Sequence, residues 1–169
     1  MKSFPHFLLS AFILLAIADG LLAERLDAQS SVELPADLVD ANGEARSTNF
    51  KDKFIGLYFS ASWCGPCRHF TPQLVSFRNN NIERFEVILV GADGSPEAQQ
   101  SYMKKYNMPW LAVENQSKVS KTISKIINVE SLPTLIILDS DGKIISRKGQ
   151  DDILEKGKET VSYWQNLSE

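Results

Sequence analysis

Two cysteines, Cys64 and Cys67, stand two residues apart with Gly65 and Pro66 between them, and the 169-residue chain contains no others. A bridge closing so short a loop restricts the unfolded chain very little. The pair is an inefficient staple, so redox exchange is the chemistry that fits its spacing. It follows an apolar run ending at Ser60, and Pro66 suits the first turn of a helix, where a missing N–H costs nothing. Unpaired N–H groups and the positive end of the helix dipole favour a thiolate at that place. Cys64 comes first, is expected to be the more exposed, and reads as the nucleophile. Cys67 lies one turn on, on the same face, and reads as the residue that resolves a mixed disulfide. Arg68 adds positive charge nearby.

A metal centre is the competing use of such a pair. Structural zinc takes four ligands, mostly Cys and His. The chain has two histidines, His6 and His69, and His6 lies in a segment expected to be removed. Cys64, Cys67 and His69 fall short of a ligand set, so no metal and no other cofactor is expected. Copper delivery fits less well still, since it needs a wider cysteine spacing and a distal histidine. His69 reads as a solvent-facing helix residue.

The elements that must hold the pair follow from periodicity. Asn42-Gly43, after Leu38-Val39, is a hairpin signal. Phe54 to Ser60 (FIGLYFS) and Phe85 to Val90 (FEVILV) are nearly continuous apolar runs, as in strands buried on both faces. A helix is expected from Pro66 to about Asn80. Ser95-Pro96-Glu97 opens another, running to about Tyr106. Trp110 to Val113 reads as a short strand. Val119, Ile123, Ile126 and Ile127 recur at helical spacing after Ser117. Thr134 to Leu138 (TLIIL) is a strand, and Asp141-Gly142 turns it towards Ile144-Ile145. Asp151 and Asp152 start a last helix with an apolar stripe of Leu154, Val161, Trp164 and Leu167, weakened by Gly157. Alternating strands and helices imply parallel pairing through crossovers, and the last hairpin adds antiparallel strands. The fold class is α/β: a central mixed β-sheet flanked by helices on both faces, with an N-terminal β-hairpin extension.

Ahead of these elements lies an address. Lys2 gives a positive start, Phe7 to Ala18 is an apolar run of twelve residues, and Ala18, Gly20 and Ala23 supply small residues. This is the layout of a secretory signal peptide over residues 1–23. The run is short for a membrane span, which needs about 20 residues; a retained N-terminal anchor is the alternative. Residues 24–32 read as a loose segment and 33–169 as the folded domain. The mature chain is expected outside the cytoplasm, periplasmic or secreted, in an oxidising space. Apolar residues are 43% and charged residues 23%, as in an ordinary globular domain rather than a disordered chain. The net charge of -3, from 18 basic and 21 acidic side chains, excludes binding to nucleic acid by phosphate neutralisation.

Tyr58-Phe59-Ser60-Ala61-Ser62-Trp63-Cys64-Gly65-Pro66-Cys67-Arg68, followed by Phe70-Thr71-Pro72, resembles the active-site stretch of the thioredoxin superfamily. The resemblance is closer to the branch of tryparedoxins and nucleoredoxins. Met108-Pro109-Trp110-Leu111-Ala112 is a second piece similar to that branch, and Leu132-Pro133-Thr134-Leu135 is similar to a third superfamily mark. The resemblance covers roughly residues 33–150 and implies a thioredoxin fold. It implies a cis Pro133 lying against the Cys64–Cys67 disulfide, with the Leu132 backbone pairing with an extended substrate segment. It places Trp63, Gly65 and Pro66 on the docking surface, and Pro72 at the kink of the active-site helix. Two departures stand out. The buried Asp that thioredoxins carry six positions before the first cysteine is Tyr58, as in the nucleoredoxin-like branch, so the general base for Cys67 is unassigned. Tryparedoxins usually carry Pro-Pro between the cysteines, where this chain has Gly-Pro.

The reading that follows is a secreted thiol–disulfide oxidoreductase that reduces or exchanges protein disulfides and draws electrons from a membrane or soluble thiol donor. Two alternatives stand beside it. One is a non-catalytic peptide-binding module using the groove near Trp63 and Pro133. The other is a peroxidase of the peroxiredoxin type, whose reactive cysteine follows a Thr three positions earlier; Ala61 occupies that position. Glu130, three residues before Pro133, is a candidate proton carrier whose default is a surface carboxylate. Trp110 and Trp164 read as packing residues.

Overall fold

The computed structural model describes residues 31–169. The expected signal peptide, and the loose segment as far as Ser30, lie outside the described residues. Within them the chain runs β1 (Leu38–Val39), β2 (Ala45–Arg46), β3 (Phe54–Ser60), α1 (Gly65–Asn80), β4 (Phe85–Gly91), α2 (Pro96–Lys105) and β5 (Leu111–Val113). It continues α3 (Lys118–Ile127), β6 (Thr134–Leu138), β7 (Ile144–Ser146), α4 (Gly149–Lys156), a 3-10 turn (Gly157–Glu159) and α5 (Thr160–Ser168). The strands form a mixed sheet in the order β2-β1-β5-β4-β3-β6-β7. β3, β4 and β5 are parallel, while β6 and β7 on one side and β1 and β2 on the other are antiparallel. Residues 32–169 form one unit, in which Val32 is buried and donates its N–H to the Gly142 carbonyl at 2.7 Å.

The continuous apolar runs of β3 and β4 have a simple cause: both faces of these central strands are covered. Ile55, Leu57 and Phe59 point into one layer with Ile88, Val90, Ile123 and Ile127, where α3 packs. Tyr58, Val87 and Leu89 point into the other with Phe70, Leu74, Tyr102, Met103, Val161 and Trp164, from α1, α2 and α5. Period-two alternation along each strand therefore feeds two cores.

The two hairpins repeat one device. Asp40 Oδ1 accepts from the N–H groups of Asn42 and Glu44, and Gly43 adopts φ +81° and donates to the Asp40 carbonyl. Asp139 Oδ1 accepts likewise from Asp141 and Lys143, and Gly142 donates to the Asp139 carbonyl. In each turn the Asp side chain satisfies backbone donors that the short loop would otherwise leave bare. Those two hydrogen bonds and Arg46 hold the Asp40 carboxyl below its ordinary range.

Helix starts follow the serine signals. Ser95 Oγ accepts from Ala98 N–H at 3.2 Å, and Ser117 Oγ from Ser120 N–H at 3.1 Å. The last helix departs from expectation. It is two helices, because Gly157 takes φ +54° and breaks the run. The break resets the phase of the stripe. Val161 and Trp164 are buried, but Leu154 and Leu167 are about half exposed, and Ile153 takes the inner place. Likewise Ile123 and Ile127 reach the sheet from α3, whereas Val119 and Ile126 lie outside the ridge that meets it and are exposed. Trp110 and Trp164 pack as expected, and the Trp164 indole also donates to Asp152 Oδ2 at 2.9 Å.

Candidate redox site

The cysteine pair sits beyond the C-terminal ends of the parallel strands β3 and β4, the end of an open α/β sheet where sites form. The Cys64 N–H donates to the Ala61 carbonyl at 3.2 Å, closing a tight turn out of β3. Cys64 is then the N-cap of α1, with extended backbone at φ -78° and ψ 111°. Its sulfur accepts from the Cys67 N–H at 3.2 Å. Cys64 and Cys67 are joined by a disulfide with an S–S distance of 2.08 Å and Cα atoms 5.2 Å apart. Both are buried, Cys67 completely and Cys64 at 6% exposure, so the first cysteine is the one closer to solvent. Ala61 and Leu132 pack against them. The Leu132–Pro133 bond is cis.

Trp63 is 65% exposed, high for so large an apolar side chain. Its Nε1–H donates to the Ala92 carbonyl at 3.4 Å. Trp63, Phe59, Val90, Ser124, Glu130 and Leu132 line a groove of about 280 Å³ beside the disulfide. A larger groove of about 570 Å³, lined by α1, α4 and residues that follow each, includes neither Trp63 nor Leu132, the residues that flank the pair. Gly65 is half-buried and Pro66 is exposed on the first turn of α1. Arg68 reaches back beside Gly65. Glu130 accepts from Asn128 Nδ2 at 3.1 Å on the groove wall, and His69 is exposed on α1.

Behind the pair lies a cluster of hydroxyls that the sequence reading did not anticipate. Thr71 Oγ1 donates to the Cys67 carbonyl at 2.8 Å. The Tyr58 hydroxyl lies 2.9 Å from Thr71 Oγ1 and 3.3 Å from the Cys67 carbonyl. The Tyr102 hydroxyl, 2.8 Å from Thr71 Oγ1, continues the chain to Ser60 Oγ at 2.9 Å. Burial pushes the Tyr58 phenol well above its ordinary value, so it remains a neutral donor and is no base for Cys67. A second unanticipated residue is Asp93, just past β4. It is 4% exposed, and its Oδ1 accepts from the Ser62 N–H at 2.9 Å and the Ser62 hydroxyl at 2.6 Å. No motif surrounds Asp93 in the sequence, so nothing there advertised a buried carboxylate.

A dithiol–disulfide pair at a helix N-terminus, with a proline loop packed against it and an exposed tryptophan beside it, is the arrangement of a thioredoxin-type thiol–disulfide oxidoreductase. Comparison with known proteins agrees. Residues 52–144 match the family described as Thioredoxin-like. Tryparedoxin from Trypanosoma brucei brucei is 37% identical over 135 residues, covering 77% of this chain and 92% of that protein. Probable nucleoredoxin 1 from Arabidopsis thaliana is 36% identical over 143 residues, covering 81% of this chain but 24% of its own length. This chain thus spans about a quarter of that nucleoredoxin. The solved thioredoxin from Wuchereria bancrofti superposes with a TM-score of 0.68 at 32% identity, covering 80% of this chain and 98% of that one. The chain belongs to the thioredoxin-like family, of the nucleoredoxin and tryparedoxin type.

Proposed function

We propose that the protein is a thiol–disulfide oxidoreductase that reduces disulfides of other proteins outside the cytoplasm. The observation that carries the reading is the Cys64–Cys67 disulfide at the start of α1, beside the groove between Trp63 and Leu132. In the reduced state the Cys64 thiolate attacks one sulfur of a substrate disulfide. The substrate S–S bond breaks, a mixed disulfide forms, and the departing substrate thiolate takes up a proton. Cys67, deprotonated in turn, attacks the Cys64 sulfur, and the second substrate thiol leaves. Two electrons have moved to the substrate and the Cys64–Cys67 bond is restored. A membrane or soluble thiol donor resets the pair.

The N-terminal address supports the location. Lys2, the apolar run from Phe7 to Ala18 and the small residues to Ala23 have the layout of a cleaved secretory signal. The groove supports a protein substrate: Trp63 offers a flat apolar wall and Leu132 a backbone edge for an extended segment carrying the disulfide. Turnover of insulin disulfides with dithiothreitol as donor tests the activity. The wild type is expected to accelerate reduction and Cys64→Ser to abolish it; reduction that survives in Cys64→Ser would refute the assignment. Processing to a chain starting near residue 24 on export, read by mass, tests the location.

A further inference from the structure

We propose that the buried charge of Asp93 sets the reducing poise of the Cys64–Cys67 pair, an inference that rests on the redox reading above. Ser62 lies two residues before Cys64, in the turn closed by the Cys64 N–H on the Ala61 carbonyl. Asp93 Oδ1 takes both donors of Ser62, and the adjoining Ala92 carbonyl takes the Trp63 indole. One short loop after β4 therefore latches both residues that lead into the nucleophile. The other carboxylate oxygen, Asp93 Oδ2, is buried and has no hydrogen-bond partner among the described residues. Half of this carboxylate thus lacks local neutralisation.

A poorly compensated negative charge disfavours a second one nearby. Asp93 Oδ1 contacts Ser62, and Ser62 is separated from Cys64 by at most about 7 Å of chain, which keeps the carboxylate within charge–charge range of Cys64. The opposing groups are Arg68, whose guanidinium lies beside Gly65, and the N-terminal N–H groups of α1. His69 and Glu130 also stand near the pair, on α1 and on the loop before Pro133, but both are exposed and water screens them. Asp93 is the buried charge in this set. By destabilising the thiolate it disfavours the reduced pair, and a dithiol disfavoured in this way gives up its electrons more readily. The opposite case, a stabilised reduced form, makes a strong oxidant.

Asp93→Asn keeps the shape and an acceptor for Ser62 but removes the charge. Asp93→Ser removes the charge with a smaller side chain. Ser62→Ala loses one hydrogen bond of the latch and keeps the charge. In the reduced protein, the pH dependence of Cys64 alkylation gives its pKa, and equilibration with glutathione gives the redox constant. Both uncharged variants are expected to lower the Cys64 pKa by about one unit. They should shift the glutathione equilibrium up to tenfold towards the dithiol, a potential about 30 mV less negative. Ser62→Ala should leave both values close to wild type. A Cys64 pKa that stays put or rises in Asp93→Asn would overturn the proposal. So would a Ser62→Ala variant that reproduces the full shift, since the effect would then belong to the latch and not to the charge. The pKa is read without any substrate, so a wild type that fails to reduce insulin sinks the redox reading separately.

Discussion

The backbone N–H of Cys67 donates to Cys64 Sγ at 3.2 Å, so the sulfur proposed as the nucleophile is itself the N-cap of α1. Opening the disulfide leaves that N–H aimed at the same sulfur. A hydrogen bond to an ionised acceptor is roughly twice as strong as one to a neutral acceptor. The helix start therefore favours Cys64 as the thiolate and leaves Cys67, one turn deeper and fully buried, as the thiol that waits. Cys67→Ser should stall the reaction at the mixed disulfide. Mass spectrometry of Cys67→Ser with a disulfide-bonded peptide should show a covalent adduct on Cys64, whereas Cys64→Ser should show none on Cys67.

Trp63 is expected to matter more for docking than for folding. With 65% of its surface in water and one indole hydrogen bond to Ala92, Trp63→Ala should cost only about 1 kcal/mol of unfolding free energy. A central interface Trp is worth about 1–3 kcal/mol, so kcat/KM for a protein disulfide should fall roughly ten- to a hundredfold. Reduction of a small aromatic disulfide should change little, because such a substrate needs no extended docking segment. Parallel kinetics with the two substrates check the split.

The hydroxyl cluster behind Cys67 is predicted to govern stability. Thr71→Val strips the Cys67 carbonyl of its 2.8 Å donor and should cost about 1–3 kcal/mol, read from urea unfolding. Tyr58 adds a pH signature. Burial raises its pKa above the value near 10 that it has when unfolded. Above that pH the unfolded chain releases a proton the folded protein retains, so folding takes up a proton. The contribution of Tyr58 is fully present below about pH 10 and is lost as pH rises towards its folded value. The urea midpoint of the wild type should therefore fall between pH 9 and 11 by more than that of Tyr58→Phe, in tests at about these values.

Arg78 and Glu86 link α1 to β4 through two hydrogen bonds, at 2.9 and 2.5 Å, with side chains 11% and 12% exposed. Glu86→Ala would leave the largely buried guanidinium without its carboxylate partner. Breaking a buried pair in this way costs roughly 3–5 kcal/mol, and about 2–3 kcal/mol is expected here because both groups still touch water. Arg46→Ala, which breaks an exposed contact to Asp40 and Glu44, should have no measurable effect. Thermal unfolding of the two variants side by side gives the comparison.

Much of this architecture was legible in the residues. FIGLYFS and FEVILV are apolar on both faces because helices cover both, and continuous runs are easy to recognise. Serine caps and Asp-Gly turns act through their nearest neighbours, so short windows were enough to find them. The break at Gly157 was visible as a weakness, but the phase it imposes on Leu154 and Leu167 depends on how α5 meets the sheet. The site divided in the same way. Cys64, Cys67 and Trp63 carry local signals. Ser60 and Tyr102 lie 42 residues apart, and Ser62 and Asp93 lie 31 apart. The first arises only when α2 packs against β3 and the second only when parallel β3 and β4 bring their C-terminal ends together, and no local pattern records either.

The reduction potential of the Cys64–Cys67 pair separates a reductant from an oxidant. Equilibration of the mature protein against glutathione or thioredoxin, with thiol trapping and mass analysis, gives it as a two-electron transition. A reductant of this type should fall near thioredoxin's value of about -270 mV. A value near about -120 mV would mark a disulfide-forming oxidant and contradict the direction proposed. A pair that stays oxidised across the whole range would contradict redox function itself.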